Sequence, residues 1–278
     1  MTDSIEIQQM RAKVEGINAV PTVPSSLRQI SVMLEKPRLT LDELAHFISS
    51  DPALTAKVLK MVNSAAYGFP GRISSVSYAI MLLGLNVIRG LLLGISVFDL
   101  MQKNMRGLWE HCCACAVAAR CIAQQKKLKE PEEVSICGLL HDIGKVIVML
   151  QYPSEYEKAI SESQQKEVTI YEAEKMFLAA SHAEVGYWLA LKWRFPINLV
   201  EAIGLHHRPQ LARQAPLETA IVHVSDILVR ARGVGFAGDS YVPPVQPTAW
   251  SMLELSDQDI KDVLAQIEES TSATGEDT

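Results

Sequence analysis

Apolar residues recur three and four positions apart along most of the chain, and strand-like alternation is almost absent. The segment GLLHDIGKVIVML, from Gly138 to Leu150, sets the theme. Ile136, Leu140, Ile143, Ile147 and Leu150 fall on one face at a period of about 3.6. Pro131 and the two acids after it mark a helix start. One helix is expected, with His141 and Asp142 side by side in an apolar setting. A carboxylate there is costly unless it is paired or coordinates a metal.

Punctuation supports helices elsewhere. Thr40 with Glu43, and Ser181 with Glu184, are spaced as capping boxes. Asp51 and Pro52 open a helix that Gly68 would close. Pro196 stops the helix that follows Ser181. A helix is expected from Pro216 to Gly233, and another from Ser256. The fold class predicted is all-α. Ile80 to Leu100 is the most apolar stretch, interrupted by Gly84, Asn86, Arg89, Gly90 and Gly94. It reads as two buried helices, since a membrane span should be cleaner. The apolar run breaks near Lys103 to Gly107, dividing an N-terminal lobe, 10–105, from a second lobe, 106–268. Residues 234–250, with Pro243, Pro244 and Pro247, read as a long non-helical excursion of the functional or mobile kind. The small, polar and acidic end, 269–278, reads as a disordered tail.

Composition adds bounds. The 278 residues are 48% hydrophobic and 21% charged, as in soluble globular proteins. A net charge of −6 gives no global attraction to nucleic acid or to an anionic membrane. The polar N-terminus lacks the basic-then-apolar form of a signal peptide. Five cysteines, Cys112, Cys113, Cys115, Cys121 and Cys137, suit reduced thiols, so a cytoplasmic location is expected. The cluster CCACAVAARC matches no common zinc spacing and reads as small packing residues.

Partners for His141 and Asp142 stand at marked places: His111 on the Cys/Ala-rich helix, His182 after a cap, His206 and His207 at a helix end, and His223 with Asp226 on the Pro216 helix. Imidazole and carboxylate together suit iron, manganese, nickel or zinc. Neighbouring helix residues point about 100° apart, so the Asp can share one metal with its neighbour or bridge two. A bridged pair activates a bound water and clamps a phosphoester, with Lys145 near the charge. His223 and His46 read as ordinary hydrogen-bonded or surface residues.

LLHDIGK resembles the signature of the HD-domain phosphohydrolases. That resemblance implies metal binding by His111, His141, Asp142 and Asp226. The HD-GYP branch, cyclic-di-GMP phosphodiesterases with two or three metals, adds three histidines, matched by His182, His206 and His207, and a lysine, matched by Lys145. Two departures matter: RPQLARQAP stands where that branch has Gly-Tyr-Pro, and Gly107 where some members have a glutamate. They argue against cyclic-di-GMP specificity and against a third metal. The N-terminal half, SDPALTAKVLKMVNSAAYG and ISSVSYAIMLLGLNVIRGLLL, resembles the HDOD family, the HD-related output domain, over about residues 18–230. The implied architecture is a two-lobed helical fold with a C-terminal HD-like bundle.

Two functions follow from the resemblance. The first is a bacterial signal-transduction output module that keeps one or two divalent ions and works through signalling proteins or a nucleotide ligand. The second is a metal-dependent phosphohydrolase of a nucleotide or cyclic dinucleotide, with Asp142 and Lys145 in the chemistry. The first leads, because a site can bind metal without doing chemistry. A helix-turn-helix reading of LAHFISSDPALTAKVLKMV offers only Lys57 and Lys60 to DNA, so no nucleic acid partner is expected.

Overall fold

The computed structural model describes residues 5–17, 25–63 and 73–274. Among the described residues every regular element is helical. The stretch expected as the first lobe holds α1 (Ile5–Glu15), which packs on α11 and bonds Gln151 through Lys13, then α2 (Ser25–Leu34), α3 (Leu41–Ser49), α4 (Pro52–Val62) and α5 (Val76–Asn104). The second contains α6 (Leu108–Gln125), α7 (Pro131–Leu140), α8 (Ile143–Gln151), α9 (Pro153–Lys166), α10 (Ile170–Phe177), α11 (His182–Lys192), α12 (Ile197–Leu205), α13 (Pro216–Arg232), α14 (Pro247–Leu253) and α15 (Asp257–Thr274).

The caps form as their spacing predicts. Thr40 and Glu43 bond reciprocally at α3, as do Ser181 and Glu184 at α11. The Asp51 carboxylate accepts from the amides of Ala53 and Leu54, with Pro52 opening α4. Gly233 closes α13 in the left-handed region, at φ 74°. The stop expected at Gly68 lies outside the described residues. Leu44 and Ile48 of α3, and Val58 and Val62 of α4, are buried, so this corner turns its apolar faces into the core.

α5 is the spine of the first lobe. It breaks once, at Gly84 (φ 79°, ψ 168°), giving two helical stretches. Gly90 and Gly94 do not interrupt it. They are seats for Ile136 and Leu139 of α7, whose side chains occupy the space a Cβ would fill. α5 is long and apolar enough to cross a membrane, but 72% of its most apolar window is buried inside the protein, as befits a core helix. Arg89 ties the lobes together by donating to the carbonyls of Leu34 and Trp193. One hydrophobic cluster runs from Met10 to Val222, so the lobes share a core. α7 lies close on α6: a Cβ at Gly138 would come within 2.6 Å of the Cys115 carbonyl oxygen. Cys112, Cys115 and Cys137 are buried in this small-residue contact.

Three expectations need correction. The single helix through His141 and Asp142 is two. α7 ends at Leu140, Asp142 sits at φ −98°, ψ 9°, and α8 restarts at Ile143. The apolar period crosses the break because both halves face the same core. The break serves α8, whose backbone meets that of α11: a Cβ on Gly144 would fall on the His182 carbonyl oxygen. Second, the excursion at 234–250 ends earlier, because Pro247 opens α14 as a first-turn proline. Third, the tail expected from 269 is helical to Thr274, while 275–278 lie outside the described residues. Val263 and Ile267 are buried in a cluster with Ala118 and Ile122 of α6, and the Ser270 and Thr271 hydroxyls donate back to the Ile267 carbonyl.

Gly144→Ala should therefore lower unfolding stability by about 1–3 kcal/mol, since the obstacle is backbone and cannot swing aside. Urea denaturation followed by circular dichroism measures this. An unchanged midpoint would contradict the α8–α11 contact.

Candidate metal centre

Five places in the second lobe deliver the polar cluster. His111 comes from the first turns of α6, His141 and Asp142 from the α7–α8 break, and His182 from the start of α11. His206 and His207 follow the last residue of α12, and Asp226 lies within α13. The structure brings together every residue that the sequence singled out for metal. All are buried except His207, which is partly exposed.

Asp142 stands at the middle. Its Oδ2 faces His141 Nε2 at 3.3 Å and His111 Nε2 at 3.8 Å. Its Oδ1 faces His182 Nε2 at 3.2 Å and His206 Nε2 at 3.8 Å. Asp226 Oδ1 closes the first side, 3.1 Å from His111 Nε2 and 4.0 Å from His141 Nε2. His207 closes the second, its Nε2 3.0 Å from that of His182. Two half-sites thus meet at one carboxylate, one oxygen to each. His141 and Asp142 stand between α7 and α8, outside either helix.

The ring orientations are set from behind. His141 Nδ1 bonds the Gly138 carbonyl at 2.7 Å, and His206 Nδ1 bonds that of Ile203 at 2.8 Å. His182 Nδ1 bonds Glu174 Oε2 at 2.7 Å, and the same oxygen accepts the His182 amide. With Nδ1 as the donor in His141 and His206, the Nε2 of each presents a lone pair inward. His141 Nε2, His206 Nε2 and Asp142 Oδ1 have no hydrogen-bond partner despite full burial. Buried polar atoms without partners are rare, and here three belong to one cluster, His141 Nε2 on one side of Asp142, His206 Nε2 and Asp142 Oδ1 on the other. A divalent cation fits that donor set: His111, His141 and Asp226 would hold it on one side, His182, His206 and His207 on the other, with Asp142 shared.

Charge is arranged to match. Burial acts to raise the Asp142 carboxyl, but His141 and Lys145 outweigh it and hold it well below the usual carboxylate range. Arg230 and His111 do the same for Asp226. Burial lowers His111, and drives His206 and His207 well below the ordinary imidazole value. Burial also acts against charge on His182, but the Glu174 carboxylate wins and raises it. Lys145 Nζ lies 2.6 Å from Asp142 Oδ2 and 2.6 Å from the Ala237 carbonyl oxygen. The carboxylate charge is therefore already matched by an ammonium. The unpartnered donors, rather than the charge, are what call for a metal.

His223 has the ordinary role expected of it. Its Nδ1 donates to the His206 carbonyl at 2.7 Å and its Nε2 accepts the Gln246 amide at 3.0 Å. It fixes the end of α12 that carries the histidine pair. Several contributors were not legible in sequence. Glu174 lies in YEAEKMF, an ordinary amphipathic pattern. Arg230 bridges Asp226 and Asp239, and Asp239 accepts the Ile170 amide that opens α10. Those contacts link the 234–246 loop to the helix carrying Glu174.

Two outcomes follow. Glu174→Gln should weaken metal binding about 10–100-fold, because it removes the charge that fixes the His182 ring. Chelator competition reads this, and unaltered affinity would contradict it. Stability of the metal-free protein should fall on acidification below about pH 6.5, the unfolded imidazole value. Unfolded histidines then take up protons that His111, His206 and His207 refuse. His182 acts oppositely, adding stability at low pH that is lost as pH rises through its raised folded value. His223 is lowered by burial as well, so four oppose one and the melting temperature should drop between about pH 7 and about pH 5.5; a rise would contradict this balance.

Comparison with known proteins places this cluster in context. The HDOD domain family matches residues 20–209. An uncharacterized protein of Treponema pallidum (strain Nichols) is 29% identical over 213 residues, 73% of this chain and 42% of that protein. The chain spans less than half the length of the curated relatives it matches. Among solved structures, an HDOD domain protein of unknown function from Geobacter sulfurreducens is 28% identical, with 96% of each chain covered and a TM-score of 0.67. A structure from Marinobacter aquaeolei VT8 superposes with a TM-score of 0.71 at 17% identity, over 99% of this chain and 66% of that one, and shares the fold. With the family match spanning most of its length and the helical architecture in common, the chain belongs to the HDOD family.

Proposed function

We propose that the chain is a signal-transduction output module in which one or two divalent transition-metal ions are a structural or ligand-sensing element. Iron, manganese, nickel and zinc all suit the donors. Partners on this reading are signalling proteins or a nucleotide ligand in the bacterial cytoplasm, with neither nucleic acid nor membrane required. The five free cysteines and the acidic net charge support that setting.

The observation that carries the reading is closure of the centre. His111, His141, Asp142, Lys145, His182 and His206 are each at most 1% exposed. A catalytic metal keeps an open position, and a lysine that stabilises phosphate must face the substrate. Here the Lys145 ammonium is spent on Asp142 and the Ala237 carbonyl. The loop after α13 lies over the cluster, and the Phe236 amide donates to the Gly107 carbonyl at 2.9 Å. The cavity between that loop and His111 holds about 180 Å³. Small-molecule pockets usually hold about 300–1,000 Å³.

A second reading is a metal-dependent phosphohydrolase acting on a nucleotide or cyclic dinucleotide. The shared Asp142 carboxylate favours it, since that arrangement suits two ions clamping a phosphoester. On this reading Asp142 and Lys145 would serve the chemistry after the loop moves.

The two separate in one assay. Protein reconstituted with each of the four metals is incubated with mononucleotides and cyclic dinucleotides. Chelation is followed separately by thermal melting. The module reading expects no turnover and a melting temperature lowered by several degrees on chelation, as loss of a bound ligand requires. Turnover that His141→Ala and Asp142→Ala abolish, with the fold intact, would overturn it in favour of the enzyme.

A further inference from the structure

We propose that Cys115 supplies a thiolate to the metal held by His111, His141 and Asp226, so that the two halves of the centre differ in chemistry. The proposal rests on the metal-centre reading above. α6 places Cys115 one helical turn after His111, on the same face. Its Sγ lies 3.6 Å from His111 Nε2. One ligand atom from each of His111, Cys115, His141 and Asp226 falls within 4.8 Å of the others, and all four residues are buried. His141 Nε2, one of those atoms, has no hydrogen-bond partner.

The neighbouring thiols are placed differently. Cys112 groups with His141 and Asp142 but not with His111 or Asp226. Cys113 and Cys121 are only partly buried and join none of these groups. The other half-site groups His182, His206 and His207 with no sulfur.

The consequences are chemical. With the shared Asp142 oxygen, two imidazoles, the Asp226 carboxylate and a thiolate give this half five donors, one of them sulfur. Sulfur also biases this half toward zinc or ferrous iron over manganese, while the three-histidine half keeps a harder character. On binding, the Cys115 S–H bond breaks, its proton passes to the buffer and the sulfur lone pair forms the metal–sulfur bond. The small-residue helix CCACAVAARC thus carries one ligand among packing residues.

Cobalt(II) tests this without any activity. The metal-free full chain is titrated with cobalt, and the visible d–d bands and the near-ultraviolet thiolate-to-cobalt charge-transfer band are followed. Wild type should show both. Cys115→Ser and Cys115→Ala should lose the charge-transfer band and keep d–d intensity from the histidine half, while Cys112→Ser keeps both. Circular dichroism shows which of the two Cys115 variants is folded for the comparison. Visible bands without a charge-transfer band in wild type would overturn the proposal and leave the metal centre standing. Loss of the band in Cys112→Ser alone would also overturn it. A chain that binds no cobalt would remove the metal-centre reading, and the proposal with it.

Discussion

α8 meets α11 backbone to backbone where Gly144 faces the His182 carbonyl oxygen, and the centre depends on that approach. The contact needs a residue without a Cβ, and the chain leaves helical geometry at Asp142 just before it. The turn carries the Asp142 carboxylate between two sets of imidazoles and brings His182 to its Oδ1 side. Packing and site are therefore one constraint. The same glycine that seats α8 also positions the residue that both half-sites share.

Much of the fold was legible because helices announce themselves by period and by caps. Thr40, Asp51 and Ser181 act at helix starts for local reasons that a sequence contains. The break at Asp142 was not legible, because the apolar period continues across it. Its cause lies at His182, far along the chain. Pro247 misled in a similar way: a proline-rich stretch reads as loop, yet a first-turn proline opens α14. The tail misled because its composition is that of disorder, whereas Val263 and Ile267 anchor the helix beneath it.

The site divides along the same line. His111, His141, Asp142, His182, His206, His207 and Asp226 stand out because such residues are unusual in apolar helical surroundings, and the structure gathers them. Glu174, Arg230 and Asp239 stand out in nothing but their tertiary partners, which lie on other elements or in the loop. Cys115 was masked by its neighbours, since four cysteines within ten positions look like packing. Lys145 is the instructive case. Its place beside the metal residues suggests phosphate chemistry, yet its ammonium is held between Asp142 and the Ala237 carbonyl. Two of its three N–H donors are taken up within the centre, one by Asp142 and one by the loop carbonyl of Ala237.

The central claim is that one carboxylate joins two half-sites. Anomalous diffraction from crystals grown with zinc tests it most directly. Two anomalous peaks are expected flanking Asp142, one among His111, His141 and Asp226, the other among His182, His206 and His207. Zinc found only elsewhere on the protein, with the Asp142–Lys145 pair intact and no peak beside Asp142, would contradict it.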